Sequence, residues 1–158
     1  MNISAATSAD LPALLEIQHA AFRAEADQYG DCSIPPLRQT VDDLRADLAT
    51  KTFLKATDET GQLLGSIRAF EKDGICHLEK LSVDPAHQRQ GCGAQLLLAV
   101  ESQFPHAIRF ELFTGHRSEG NIRLYQKLGY RTVRAEEISC RLTLVHMEKR
   151  RTQPGTAS

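Results

Sequence analysis

The sequence predicts a mixed α/β domain whose elements run βααβββαβαββ. Three features carry that expectation. Strand-like runs with a two-residue period alternate with runs of helical period. Gly30, Pro35, Pro36, Gly61, Asp73-Gly74 and Gly129 punctuate the joins. A glycine-rich turn then couples the end of a strand to the start of a helix near the middle of the chain. With 158 residues, 41% hydrophobic and 25% charged, the chain has the size and composition of one ordinary globular domain, not of a fibrous or disordered one.

A short strand over Asn2–Ala6 leads into Ser8-Ala9-Asp10, a helix start with Pro12 in its first turn. Leu11, Leu14, Leu15 and Phe22 mark one apolar helix face, with Glu16 and Arg23 elsewhere. In the connection over residues 28–40, Gly30, Pro35 and Pro36 are expected to prevent regular helix. Thr40 then caps a second helix from Val41 to about Ala49. Thr52–Thr57, Leu63–Phe70 and Ile75–Val83 read as strands, and the turn residues between them make an antiparallel meander. After Asp84-Pro85 the period changes, and Ala94, Leu97, Leu98 and Glu101 mark a helix that ends before Pro105. A strand over Ala107–Thr114 precedes a helix from about Asn121 to Leu128, closed by Gly129. Two strands, Tyr130–Glu136 and Ile138–His146, complete a domain of residues 1–147, and 148–158 reads as a flexible tail.

Nineteen basic and twenty acidic residues give a formal net charge of −1, so no positive field gathers nucleic acid or an anionic membrane. Cys32, Cys76, Cys92 and Cys140 lie far apart, no pair has C-x-x-C spacing, and the six histidines contain no H-E-x-x-H; no metal site is expected. The N-terminal stretch lacks the basic-then-apolar pattern of a secretory signal, and no apolar run approaches a membrane span. The expected compartment is the cytoplasm, with the cysteines as free thiols.

The most informative stretch runs from Leu81-Ser82-Val83 through Asp84-Pro85 to Gln88-Arg89-Gln90-Gly91-Cys92-Gly93-Ala94. Glycines at a helix start let a ligand approach unpaired backbone N–H groups, and the helix dipole adds positive potential, a combination suited to phosphate or pyrophosphate. Arg89 can add a charge-assisted bond. Neither a third Rossmann glycine, where Leu96 stands, nor a G-x-x-x-x-G-K-[ST] run is present. Gln88, Gly91 and Gly93, with Leu81 and Val83 upstream, instead resemble motif A of the GNAT acetyltransferase superfamily. About thirty residues later Asn121-Ile-Arg-Leu-Tyr125-Gln-Lys-Leu-Gly129-Tyr130 resembles its motif B. Asn121 and Tyr125, four apart on a helix, share a face.

The resemblance implies a GNAT acyl-CoA N-acyltransferase fold, with a central twisted mixed sheet in which parallel strands 4 and 5 splay apart. It implies acetyl-CoA as cosubstrate, direct transfer to a primary amine of a small molecule or peptide, and no metal. By similarity the amides from Arg89 to Ala94 hold the pyrophosphate, Leu81-Ser82-Val83 pairs with the pantetheine, Asn121 bonds it, and Tyr125 stands near the thioester sulfur as the acid for the leaving thiolate. The base is left open among His77 and Glu79 on the strand before Val83, Glu111 on the next strand, and water. Glu25 and Tyr29, with Asp31, lie in the region that lines the acceptor site in such proteins, and Thr114 lies beside the expected thioester. Acidic groups near an aromatic suit a cationic amine. Cys92 at a helix N-terminus is a place where a thiol pKa can fall. Dimerisation through the last strands is common among such proteins. The alternative function is an acetyl-CoA-binding sensor without turnover.

Overall fold

A computed structural model describes residues 1–30 and 34–151. Seven strands form one sheet: β1 (Asn2–Ala5), β2 (Thr52–Thr57), β3 (Leu63–Lys72), β4 (Ile75–Val83), β5 (Arg109–Gly115), β6 (Arg131–Glu137) and β7 (Thr143–Arg150). Their spatial order is β1-β2-β3-β4-β5-β7-β6, with every neighbouring pair antiparallel except β4–β5. The helices are α1 (Leu11–Tyr29), α2 (Pro35–Arg38), α3 (Val41–Thr50), α4 (Cys92–Ser102) and α5 (Glu119–Lys127). None of the described helices is long and apolar enough to cross a membrane.

Two apolar layers enclose the sheet. Leu11 and Leu14 of α1 pack with Leu44 of α3 and Phe53 of β2. Leu96, Leu97 and Val100 of α4, with Tyr125 of α5, pack against Ile67, Leu78, Phe110 and Leu112 of the sheet. The meander forms as its turn residues predict. Asp73 and Gly74 both have positive φ, 55° and 81°, as a two-residue primed hairpin turn requires. Thr40 caps α3 reciprocally with Asp43: Thr40 N–H donates to Asp43 Oδ2 at 2.8 Å, and Asp43 N–H to Thr40 Oγ1 at 3.3 Å.

β4 and β5 pair only at Ile75↔Arg109, Cys76↔Phe110 and His77↔Glu111. Beyond these residues β4 keeps β3, and β5 keeps β7 along its whole length, so each strand retains an outer partner while the inner ladder opens. A β-bulge accentuates the divergence: Ser66↔Ser82 and Arg68↔Glu79 leave Lys80 and Leu81 opposite Ile67, and Lys80 has φ 55°. This is the expected splayed sheet.

Several boundaries differ from expectation. α1 continues to Tyr29 and is closed by Gly30 at φ 65°, so Gln28 and Tyr29 are helical. Pro35 and Pro36 start the single turn α2 instead of preventing helix, because the first helical positions need no N–H partner. Ile138–Leu142, expected as strand, is the β6–β7 turn, in which Ile138 and Ser139 N–H both donate to Leu142 O. Of the expected tail, Glu148 to Arg150 belong to β7. Lys149 Nζ donates to Glu101 Oε1 at 2.9 Å, and the Arg151 guanidinium donates to the carbonyls of Ala107, Glu101 and Phe104 at 3.1, 3.2 and 2.6 Å. Arg151 thereby satisfies carbonyls at the C-terminal end of α4 and in its following turn, and Lys149 pairs with the Glu101 carboxylate. Asp31, Cys32 and residues 152–158 lie outside the described residues.

Candidate active site

The strand-to-helix turn after β4 builds an anion cradle. Arg89 and Gly91 both adopt left-handed backbone, φ 65° and 84°, and bracket Gln90. The first α4 bond is Gln95 N–H to Gly91 O, and no N–H from Arg89 to Ala94 donates to another described group. Backbone N–H groups without described partners thus cluster at the positive end of α4, and Arg89 and Gly91 to Ala94 line a common cleft. A cleft of about 330 Å³ lies in front of them, lined also by Leu81, Val83 and Gln88 and, across it, by Asn121 and Leu124 of α5. Gly93 is needed for close packing, since a β-carbon there would stand 3.1 Å from Leu124 Cδ2. Gly65 does the same on β3, where a β-carbon would meet Ser82 O at 2.5 Å.

A second cavity, about 310 Å³, opens through the gap between β4 and β5. Leu78, Glu79, Lys80 and Leu81 form one wall, Leu112 to Gly115 the other, and Tyr125 reaches it from α5. Phe22 and Glu25 of α1, Leu81 and Asn121 line both cavities, so the two adjoin at these four residues.

Glu25 is half-buried at that junction and accepts a hydrogen bond from Ser118 Oγ. Burial raises its carboxyl pKa, and the Ser118 bond offsets part of that rise. Tyr125 is 5% exposed, and burial, assisted by the Glu25 charge, pushes its phenol upward, so it stays protonated at neutral pH. Among the described residues its hydroxyl has no hydrogen-bond partner. Tyr29 lines the second cavity from the end of α1, where its Oη accepts Arg117 N–H at 2.8 Å and lies 3.3 Å from Ser118 Oγ. Thr114 is buried in the β5 wall.

The expected base candidates separate in space. Glu79 lines the cavity, but its carboxylate is paired with Lys51 of the α3–β2 join. His77 lies where β4 and β5 are still paired, stacked on Phe70 with ring centroids 4.9 Å apart, and lines neither cavity. Glu111 sits at the same register and bonds Arg109 Nε at 2.7 Å, also away from both cavities. Cys92 contributes its backbone to the cradle, but its side chain turns into the core at 2% exposure, and burial pushes the thiol up to about 11, the reverse of the expected fall.

Sequence reasoning missed the polar cluster behind the cavities. Arg68 of β3, 1% exposed, donates to Gln18 Oε1 of α1, to Gln39 Oε1 at 3.0 Å and to Asp47 Oδ2 of α3 at 3.1 Å, with its guanidinium 4.6 Å from the Phe53 ring. Gln18 Nε2 also donates to Pro36 O at 2.9 Å, which ties the α2 wall of the cavity to α1. A lone charged residue inside a strand read as apolar was the available signal.

The split mixed sheet thus carries a glycine turn whose amides lack described partners beside one cavity and a buried phenol beside the other. Residues 32–151 match the family model of the GNAT acetyltransferase domain, and the chain belongs to that family. Solved structures of similar fold include the PaiA N-acetyltransferase of Thermoplasma acidophilum in complex with coenzyme A (TM-score 0.78, 18% identity, 95% of this chain and 98% of that one). YncA of Salmonella typhimurium with its cofactor acetyl-CoA is another (TM-score 0.75, 20% identity, 99% and 98%). The ribosomal-protein-alanine N-acetyltransferase of Brucella melitensis is a third (TM-score 0.75, 21% identity, 95% and 99%).

Proposed function

We propose that this acyltransferase moves the acetyl group of acetyl-CoA directly to a primary amine. The observation that carries the reading is the pair of adjoining cavities: amides at Arg89–Ala94 without described partners on one, Tyr125 on the other, and the open β4 edge along both. The amides and Arg89 suit the pyrophosphate. The edge from Leu81 to Val83 suits an extended pantetheine arm, which would bond to it as an added strand does, with Asn121 facing it from α5.

An alkylammonium must lose its proton before it attacks a carbonyl carbon. Glu25, at the junction of the two cavities, and Glu79 are the cavity carboxylates available to hold or take that proton. As the carbon–sulfur bond breaks, the Tyr125 phenol, held in its protonated form by burial, donates to the departing sulfur. The acceptor enters between α2 and the β6–β7 turn, past Tyr29 and Thr114.

Thermal melting with acetyl-CoA and a free-thiol assay over a panel of amines test this together. Acetyl-CoA is expected to raise Tm, and Tyr125→Phe to lower kcat with little change in acetyl-CoA affinity. Stabilisation by acetyl-CoA without thiol release for any amine would favour a sensor, and unchanged kcat in Tyr125→Phe would remove the proposed acid.

A further inference from the structure

We infer that the acceptor is a small primary monoamine with an apolar body, its ammonium at Glu25 and its carbon skeleton against Phe113, Ile138, Leu142 and Leu144. The inference deepens the acetyl-transfer reading and rests on it. Glu25 is the one carboxylate that lines both cavities, and its only described bond is the one it accepts from Ser118. Glu79, by contrast, is neutralised by Lys51. One negative group therefore marks where a single ammonium sits.

Around that point the acceptor wall is apolar. Ile34 and Pro36 of the α2 side face Phe113, Ile138, Leu142 and Leu144 of the β5–β7 side. Phe113 and Ile138 are each 52% exposed, large apolar side chains left in contact with water. A carbon skeleton covering them recovers that surface at about 25 cal/mol per Å². Lys80 of the β-bulge lines the same cavity with no ion-pair partner among the described residues, so a second ammonium on the acceptor would meet like charge.

Size separates a small amine from a peptide, and so does the scarcity of free amides on the α2 and β6–β7 sides, although the β5 edge over Leu112–Gly115 stays open. At about 310 Å³ the cavity is at the small end of ligand sites. An extended peptide needs partners for its own N–H and C=O groups. The β6–β7 turn spends its amides internally: Ile138 and Ser139 donate to Leu142 O, and Arg141 and Leu142 donate to Ser139 Oγ. Pro35 and Pro36 have no N–H to offer.

The test compares acetyl-CoA-dependent thiol release with 2-phenylethylamine, ethanolamine, 1,4-diaminobutane and a peptide with a free amino terminus. 2-Phenylethylamine is expected to exceed both small polar amines in kcat/KM by at least tenfold. Phe113→Ser and Ile138→Ser should each raise KM for 2-phenylethylamine several-fold more than they raise KM for ethanolamine, with Tm measured on both variants to confirm that they fold. Equal kcat/KM for ethanolamine or 1,4-diaminobutane, an unmoved preference in both variants, or turnover of the peptide alone would overturn the inference while leaving acetyl transfer intact. Failure of every acceptor to elicit thiol release, despite stabilisation by acetyl-CoA, would remove the transfer reading and the inference with it.

Discussion

Tyr29 and Gly115 share a space that admits only one of them beyond the backbone. The phenol of Tyr29, at the end of α1, lies where a β-carbon on residue 115 of β5 would stand. Arg117 N–H, 2.8 Å from Tyr29 Oη, fixes the ring there, and His116 packs on it with centroids 5.5 Å apart. Gly115→Ala would force the phenol away or bend the end of β5. Overpacking of this kind costs about 1–3 kcal/mol. Because both residues line the acceptor cavity, a lower Tm should accompany a raised KM for the amine, with acetyl-CoA affinity little changed.

Activity should depend on the ionisation of Glu25. Only its carboxylate attracts an ammonium, so kcat/KM should fall as pH drops through its pKa, which burial holds above the ordinary 4.5. Glu25→Gln should remove that acid limb and lower kcat/KM throughout. Stability runs the other way. A carboxyl with a raised folded-state pKa stabilises the fold most below its unfolded value, and the contribution is lost as pH rises through the folded one. Tm against pH for wild type and Glu25→Gln should therefore differ in slope across that interval.

Replacing Arg68 should be among the most damaging single changes. Arg68→Ala strips Gln18, Gln39 and Asp47 of a shared donor and leaves Asp47 without its buried partner, although Lys51 Nζ remains 3.3 Å away. Breaking buried pairs costs about 3–5 kcal/mol, to be read as a drop in denaturant midpoint.

Thiol labelling should discriminate among the described cysteines. Cys140 is exposed, whereas burial pushes Cys76 up to about 12 and Cys92 up to about 11. At neutral pH a maleimide should modify Cys140 in the folded protein and spare the other two, as peptide mapping would show. Rapid labelling of Cys92 would contradict its burial.

Arg151→Ala should lower stability by about 1.5–3 kcal/mol, since one guanidinium holds three carbonyls around the end of α4 and lies 5.0 Å over the Phe110 ring. The melting temperature of that variant measures it.

What the sequence revealed and what it concealed divide along the distance over which each feature is encoded. The cradle and the α5 pair Asn121 and Tyr125 are local, set by glycine conformations and helix spacing, and so were readable as text. So was the meander, down to Asp73-Gly74. Arg68 was not, because its partners stand 21 to 50 residues away. His77 and Glu79 share a strand face and looked equivalent. Where β5 departs separates them, and that depends on which outer partner each strand keeps. Lys149 and Arg151 read as a basic tail because the groups they bind lie 44 to 50 residues upstream.

The three residue pairs joining β4 to β5 make the sheet a clasp with a short pin. Four strands lie on one side and three on the other, and little backbone bonding holds the halves together. One apolar core still spans both halves, so the unliganded protein should unfold as a unit, while the amides of β4 and β5 that face the gap exchange earliest. A molecule lying along the gap and touching both walls would act as the missing stitch. Its binding would then appear not only as occupancy, but as slowed exchange of the amides along the gap.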